Sequence, residues 1–179
     1  MNQIPKRTPL YNLHFALGGK MVDFAGWEMP VQYPMGIMGE HTHCRTKAAL
    51  FDVSHMGQVL LRGPDIALKL EALVPATLTQ LPEGKARYTF FTNADGGIMD
   101  DLIVANAGDH LFIVVNASMR EQDIPYMVAS LQDIEVTELF DRALIAVQGP
   151  SAEAVVSTHC PQAADMTFMQ TLEAPIDGT

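Results

Sequence analysis

Apolar positions recur along the chain with two different periods, and these predict its elements. Ile66, Leu70, Leu73 and Val74 fall at i, i+4, i+7 and i+8, a single helical stripe. Pro64 suits the first turn of that helix and Pro75 ends it. Farther along, ARYTFFT (86–92), MDDLIVANA (99–107) and HLFIVVNA (110–117) read as strands. Asn93-Ala94-Asp95-Gly96-Gly97 and Gly108-Asp109 lie between them and supply residues that tolerate positive φ, so the three strands predict an antiparallel meander. Ser118-Met119-Arg120-Glu121 matches a capping box and predicts a helix to about Leu131, with Pro125 predicting a kink or a late start. QVLLRG (58–63) and IEVTEL (134–139) read as the flanking strands. Residues 56–139 therefore run β-α-β-β-β-α-β, close to a ferredoxin-like α+β unit.

The flanks are less regular. Gly18-Gly19, Gly26-Trp27, Pro30 and Pro34 predict irregular structure over residues 1–35, packed through Phe15, Phe24 and Trp27. IMGEHTHCRTKA (37–48) predicts a helix, and LFDVSHMG (50–57) a strand entry. ALIAVQGPSAEAVVST (143–158) repeats the order apolar strand, Gly-Pro, helix that QVLLRGP begins. The shared Gly-Pro is a recurring device, since no wider identity joins the two segments. The expected organisation is a discontinuous first domain, 1–55 with 140–179, around a second, ferredoxin-like domain at 56–139.

The chain has 179 residues, of which 48% are hydrophobic and 18% charged, enough for one substantial core or two small ones. No apolar run approaches a membrane span, and the N-terminal segment lacks the apolar region of a signal peptide. No membrane partner and a cytoplasmic location are expected. A net charge of −10 argues against a nucleic-acid partner, which requires a basic face. Cys44 and Cys160 are far apart in sequence, and two Cys beside 11 Met suit a reducing compartment.

Several segments carry residue types that do chemistry. Asp52, Ser54 and His55 are the types of a hydrolase triad, but in a strand Ser54 and His55 point to opposite faces. They read better as polar residues capping strand ends. In EHTHCR (40–45), His41 and His43 lie about 200° apart on a helix and cannot share a metal. His41 with Cys44 would need two further ligands, so no metal is expected. Gly18-Gly19 and Gly96-Gly97 lack the spacing of a phosphate-binding loop. Asp100 and Asp101 stand out. Adjacent strand residues face opposite ways. By alternation Asp101 goes with Met99, Ile103 and Ala105, and Asp100 with Ile98, Leu102 and Val104. Both faces are otherwise apolar, so at least one carboxylate needs a buried partner or marks a site.

Five phrases, in order, resemble one family: KMVDFAGWEMPVQY (20–33), EHTHCRTKAALFDVSHMG (40–57), GKARYTFFTNADGGIMDDLIV (84–104), LFIVVNAS (111–118) and ALIAVQGP (143–150). They are similar to the T protein of the glycine cleavage system, an aminomethyltransferase, and cover nearly the whole chain. The resemblance implies transfer of a one-carbon unit to tetrahydrofolate, a co-substrate, from the aminomethyl group carried on the lipoyl arm of the H protein, with release of ammonia. It implies that Asp101 is the catalytic carboxylate beside the reactive folate nitrogens, and that Asp100 is structural. It also implies that Met56, Tyr88, Ile103 and Asn116 line the folate pocket.

Two departures are visible: Ala49 where the family usually has Gly, and Ala105 where an aromatic often follows the Asp pair. The family also runs well beyond this length. The expected content is an α+β fragment of ferredoxin-like units, with the C-terminal part and a barrel domain missing. By itself it is expected to be inactive and to self-associate. A folate domain of a sarcosine or dimethylglycine dehydrogenase is the rival enzyme reading, disfavoured by the opening KRTPLY. A non-enzymatic folate-binding protein of iron–sulfur assembly is the other rival; its KGCYxGQE phrase does not occur here.

Overall fold

The computed structural model describes residues 4–177, so three N-terminal and two C-terminal residues of the expected first domain lie outside it. In chain order the elements are β1 (Lys6–Arg7), α1 (Tyr11–Ala16), β2 (Lys20–Phe24), β3 (Trp27–Gln32), α2 (Gly36–Thr46), β4 (Ala49–Asp52), β5 (Gly57–Arg62) and α3 (Ile66–Glu71). Then follow β6 (Lys85–Thr92), β7 (Ile98–Asn106), β8 (Leu111–Val115), α4 (Arg120–Ser130), β9 (Glu135–Glu138), β10 (Ile145–Gln148), α5 (Ala152–His159) and a short 3₁₀ turn (Pro161–Asp165). The class is α+β. Among the described residues no helix is long and apolar enough to cross a membrane.

Two compact units make up the chain. One takes the residues up to His55 with Asp141–Asp165 and the segment from Ala174; the other takes Met56–Phe140 with Met166–Glu173.

The second unit is built on a five-stranded sheet of order β6-β7-β8-β5-β9, with every neighbouring pair antiparallel. Alternation along its strands decides which side is covered. Val59, Leu61, Phe91, Leu102, Val104, Ile113 and Val115 are buried on one face, and Leu70, Val74, Met127 and Leu131 close over them. Phe91 meets the Tyr126 ring edge-on, with centroids 5.4 Å apart. The turn before β7 is organised by Asn93, whose side-chain carbonyl accepts the N–H groups of Asp95 at 3.1 Å and Gly97 at 2.8 Å.

Local signals were displaced at three points in this unit. Pro64 lies outside the helix, because Asp65 at φ 54° is the residue before α3. Ser118 does not cap α4; the helix starts at Arg120 behind Met119, with no side-chain cap. It then continues through Pro125 to Ser130, held by the burial of Met127 on the sheet.

The first unit holds a three-stranded sheet, β1-β3-β2, and the antiparallel pair β10-β4. The irregular structure expected over residues 1–35 is therefore corrected to two strands, a two-residue edge strand and a short helix. Pro30 sits within β3, but β1 pairs only with Trp27 and Glu28, so beyond them that side of β3 needs no ladder donor. Phe15 and Phe24, expected to pack, stay 70% and 57% exposed, while Lys6 lies over the half-buried Trp27 ring.

Candidate functional site

The chemistry of the second unit gathers at one end of β7 and β8. Thr92 pairs with Ile98 and Phe91 with Asp100, leaving Met99 as the extra residue of a bulge. The bulge breaks the alternation expected here: Met99 packs against the core, away from Asp101's face, while Ile98 is 68% exposed. Beyond it the pleat resumes. Asp101 pairs with Phe90 and Ile103 with Tyr88, which sets Tyr88, Phe90, Asp101 and Ile103 on the face opposite the core. Asp100 lies on the core face with Leu102 and Phe91.

On the open face the Tyr88 phenol lies beside the Asp101 carboxylate. Desolvation first, and then the charge of Asp101, push the phenol above its usual range. Tyr88 and Ile103 are 58% and 40% exposed, so an aromatic and an aliphatic surface flank the carboxylate. Asn116 follows β8. Its Nδ2 donates to Asp101 Oδ1 at 3.0 Å and to the Asp101 carbonyl at 3.2 Å. The same nitrogen lies 3.2 Å from both carboxylate oxygens of Asp100. Carboxylates only accept, so the amide must turn its NH₂ between the two aspartates, leaving its carbonyl oxygen directed elsewhere. The two carboxylates thus occupy opposite faces yet share one donor. Met56 opens this unit beside Gly57, which pairs with Val115, the residue before Asn116. Of the five residues singled out from sequence, Tyr88, Asp101, Ile103 and Asn116 share this face, and Met56 lies at the same end of the sheet.

Beneath Asp100 lies a residue that the sequence reading missed. Asp123, in the first turn of α4, is fully buried, and neither carboxyl oxygen accepts a hydrogen bond of ordinary geometry. Burial first, then the contact with Asp100 and its charge, push the Asp123 carboxyl up to about 7, with the Gln122 amide opposing and Asp101 adding. The only sequence signal was an Asp in a helix first turn, where acids are ordinary.

The residue types of a hydrolase triad are used differently in the first unit. Asp52 Oδ2 accepts from Thr8 Oγ1 at 2.7 Å and lies 2.7 Å from His14 Nε2, while its Oδ1 accepts the Ser54 N–H at 2.9 Å. Burial acts to raise the Asp52 pKa, but the bonds from His14, Ser54 and Thr8 outweigh it and hold the carboxyl low. His14 Nδ1 is 2.6 Å from the Tyr33 hydroxyl. Ser54 Oγ accepts the Leu144 N–H at 2.9 Å. These groups fasten segments of one unit together and present no free nucleophile. In α2, Glu40 accepts the Tyr33 N–H at 2.6 Å and His43 is exposed. Among the described residues no three His, Cys, Asp or Glu side chains are arranged to hold a metal ion.

Comparison with known proteins places the chain in a family. The GCVT N-terminal domain family matches residues 10–179. The mitochondrial aminomethyltransferase of Dictyostelium discoideum is 46% identical over 160 residues, covering 84% of this chain and 40% of that protein. The aminomethyltransferase of Rubrobacter xylanophilus is 44% identical over 179 residues, covering 97% of this chain and 47% of its own length. Among solved structures, the glycine cleavage system aminomethyltransferase T from Bartonella henselae superposes with a TM-score of 0.87 at 36% identity, over 92% of this chain and 46% of that one. The chain spans less than half the length of each of these relatives.

Proposed function

The chain belongs to the GCVT N-terminal domain family, and on that premise we propose that its second unit supplies one wall of a tetrahydrofolate site in an aminomethyltransferase of glycine cleavage. The observation that carries this is the shared face of Tyr88, Asp101, Ile103 and Asn116. A flat heteroaromatic ring bearing N–H groups needs apolar surface for its faces and an acceptor at its edge. Tyr88 and Ile103 supply the first, and Asp101, steadied by the Asn116 amide, supplies the second.

The donor is the aminomethylated lipoyl arm of the H protein. Its carbon–sulfur and carbon–nitrogen bonds break as two carbon–nitrogen bonds form to the folate. The two protons displaced from the folate nitrogens end on ammonia and on the lipoyl thiol. Asp101 serves this exchange by accepting a hydrogen bond from a folate N–H, orienting that nitrogen and stabilising the positive charge it develops. In this reading it also passes the displaced proton to the departing amine. Met56 adds apolar contact at the same end of the sheet.

The test is single-turnover formation of methylenetetrahydrofolate from aminomethylated H protein, in the full protein that carries this chain. Asp101→Asn is expected to lower the transfer rate by about 10²–10⁴-fold, the range for a positioned acid–base group. Asp100→Asn is expected to lose about tenfold or less, because its carboxylate acts only through Asn116. Equal losses at the two positions would overturn the division of roles.

A further inference from the structure

We propose that Asp123 is a positioning residue of this site: its carboxyl keeps a proton and donates it to Asp100, and the pair so formed fixes the Asn116 amide that supports Asp101. The inference rests on the folate reading only for what is positioned; the proton-sharing stands by itself.

Asp123 is 0% exposed, and neither of its oxygens accepts a hydrogen bond of ordinary geometry. An ionised carboxylate in that position would be an uncompensated buried charge next to a second carboxylate. A proton removes both penalties, because a protonated carboxyl is a donor and Asp100 is the acceptor it meets. Two donors then converge on Asp100: the Asp123 O–H from below and the Asn116 Nδ2–H at 3.2 Å from the strand end. The same Nδ2 holds Asp101 at 3.0 Å. The line Asp123–Asp100–Asn116–Asp101 runs from the helix through the sheet to the open face. Every contact in it places a donor against an acceptor only while Asp123 carries its proton.

Among the described residues, the cation on the same helix three positions earlier is Arg120, and it pairs with Glu138. From β7 Asp123 faces Asp100 and, beyond it, Asp101; from its own helix it meets the Gln122 amide. β5 turns Gly57, Val59 and Leu61 toward α4, and the Glu138 carboxylate of β9 is taken by Arg120. Loss of the proton therefore leaves two anions competing for one amide. Asn116 is drawn toward them, and Asp101 loses its support.

The experiment is performed on the full protein, with side-chain carboxyl carbons of aspartate observed by ¹³C NMR from pH 5 to 9 and tetrahydrofolate affinity measured by calorimetry over the same range. In the wild type one Asp carboxyl is expected to titrate near 7. Affinity is expected to fall by about tenfold between pH 6 and pH 8.5, as one unit of pKa coupling predicts. In Asp123→Asn the amide donates to Asp100 at every pH, so both the titration and the fall disappear. A purely structural Asp123 would lower stability in that variant and leave the fall in place. Asp100→Asn, which removes the neighbouring charge, is expected to move the remaining titration to lower pH. No aspartate titrating between pH 6 and 8 in the wild type, or a fall in affinity that persists in Asp123→Asn, would overturn the proposal. An aspartate that titrates near 7 in a wild type that binds no tetrahydrofolate at any pH would uphold the proton-sharing and instead overturn the folate reading.

Discussion

Asp123 and Asp52 are both buried carboxyls, and their surroundings shift them in opposite directions. Asp52 is met by donors, and the bonds from His14, Ser54 and Thr8 outweigh its burial and hold its pKa low. The stability it contributes is present above the unfolded aspartate pKa and is lost as the pH falls through its lowered native value. Asp123 is met by another carboxylate, and its pKa rises to about 7. Its contribution runs the other way: it is complete below about pH 4, where both folded and unfolded forms hold the proton, and declines as the pH rises to 7. In urea denaturation, the wild type is expected to lose on the order of 4 kcal/mol between about pH 4 and pH 8 that Asp123→Asn keeps. Parallel pH curves for the two proteins would show that Asp123 is ionised throughout.

Between elements, the two Gly-Pro junctions show how a local device depends on what packs beside it. Gly63 and Gly149 each stand two residues before the residue that precedes a helix, Asp65 before α3 and Ser151 before α5. Both have φ in the region that excludes most side chains, at 149° and 119°. A Cβ on Gly149 would lie 2.5 Å from the carbonyl oxygens of Cys44 and Lys47, both backbone atoms that cannot move aside. On Gly63 the closest atom, at 2.7 Å, is the Ile134 Cδ1 methyl, with the Asp133 carbonyl at 2.8 Å. At Gly96, φ is 79° with nothing within 4 Å. Gly149→Ala is expected to cost roughly 3 kcal/mol or more, through strain and clash together. Gly96→Ala is expected to cost about 1 kcal/mol, from backbone strain alone. Thermal or chemical melts of the two variants check the order, and a reversed order would show that the α5 junction relaxes freely.

For the molecule as a whole, the second unit has its own core and sheet, while the first leaves apolar surface uncovered. Leu50 and Phe51 on β4, Ile145 on β10 and Val155 on α5 are 66%, 41%, 47% and 40% exposed. Leu50 and Ile145 share one face of the β4–β10 pair, with Phe51 on the other, and apolar surface of this kind favours association. The 179-residue chain alone is expected to be oligomeric by light scattering and to bind tetrahydrofolate at least about tenfold more weakly than the full protein, because one wall cannot enclose a long polar ligand. A monodisperse monomer binding tetrahydrofolate as tightly as the full protein would show that the face of Tyr88, Asp101, Ile103 and Asn116 is sufficient by itself.

What the sequence determined by itself was what depends on near neighbours. The meander over β6, β7 and β8, the Asn93 turn and the stripe of α3 all follow from spacing within about ten residues, the reach of helical and strand periods. The same period of two placed Asp101 with Ile103 and opposed it to Asp100, and the phrase resemblance pointed to the family the chain belongs to. Tertiary structure alone decided where distant segments meet. The pleat does not reveal that Met99 bulges, because a bulge is a mismatch in length between two strands. Pro30 in a strand and Pro125 in a helix oppose their local preferences, and each is tolerated through what surrounds it: a two-residue edge strand that stops short of Pro30, and a sheet that buries Met127. Asp123 was invisible for the same reason. Its character comes from the fold, which sets a helix first turn on a strand residue 23 positions earlier, so that a carboxyl closed off from water meets a second carboxyl.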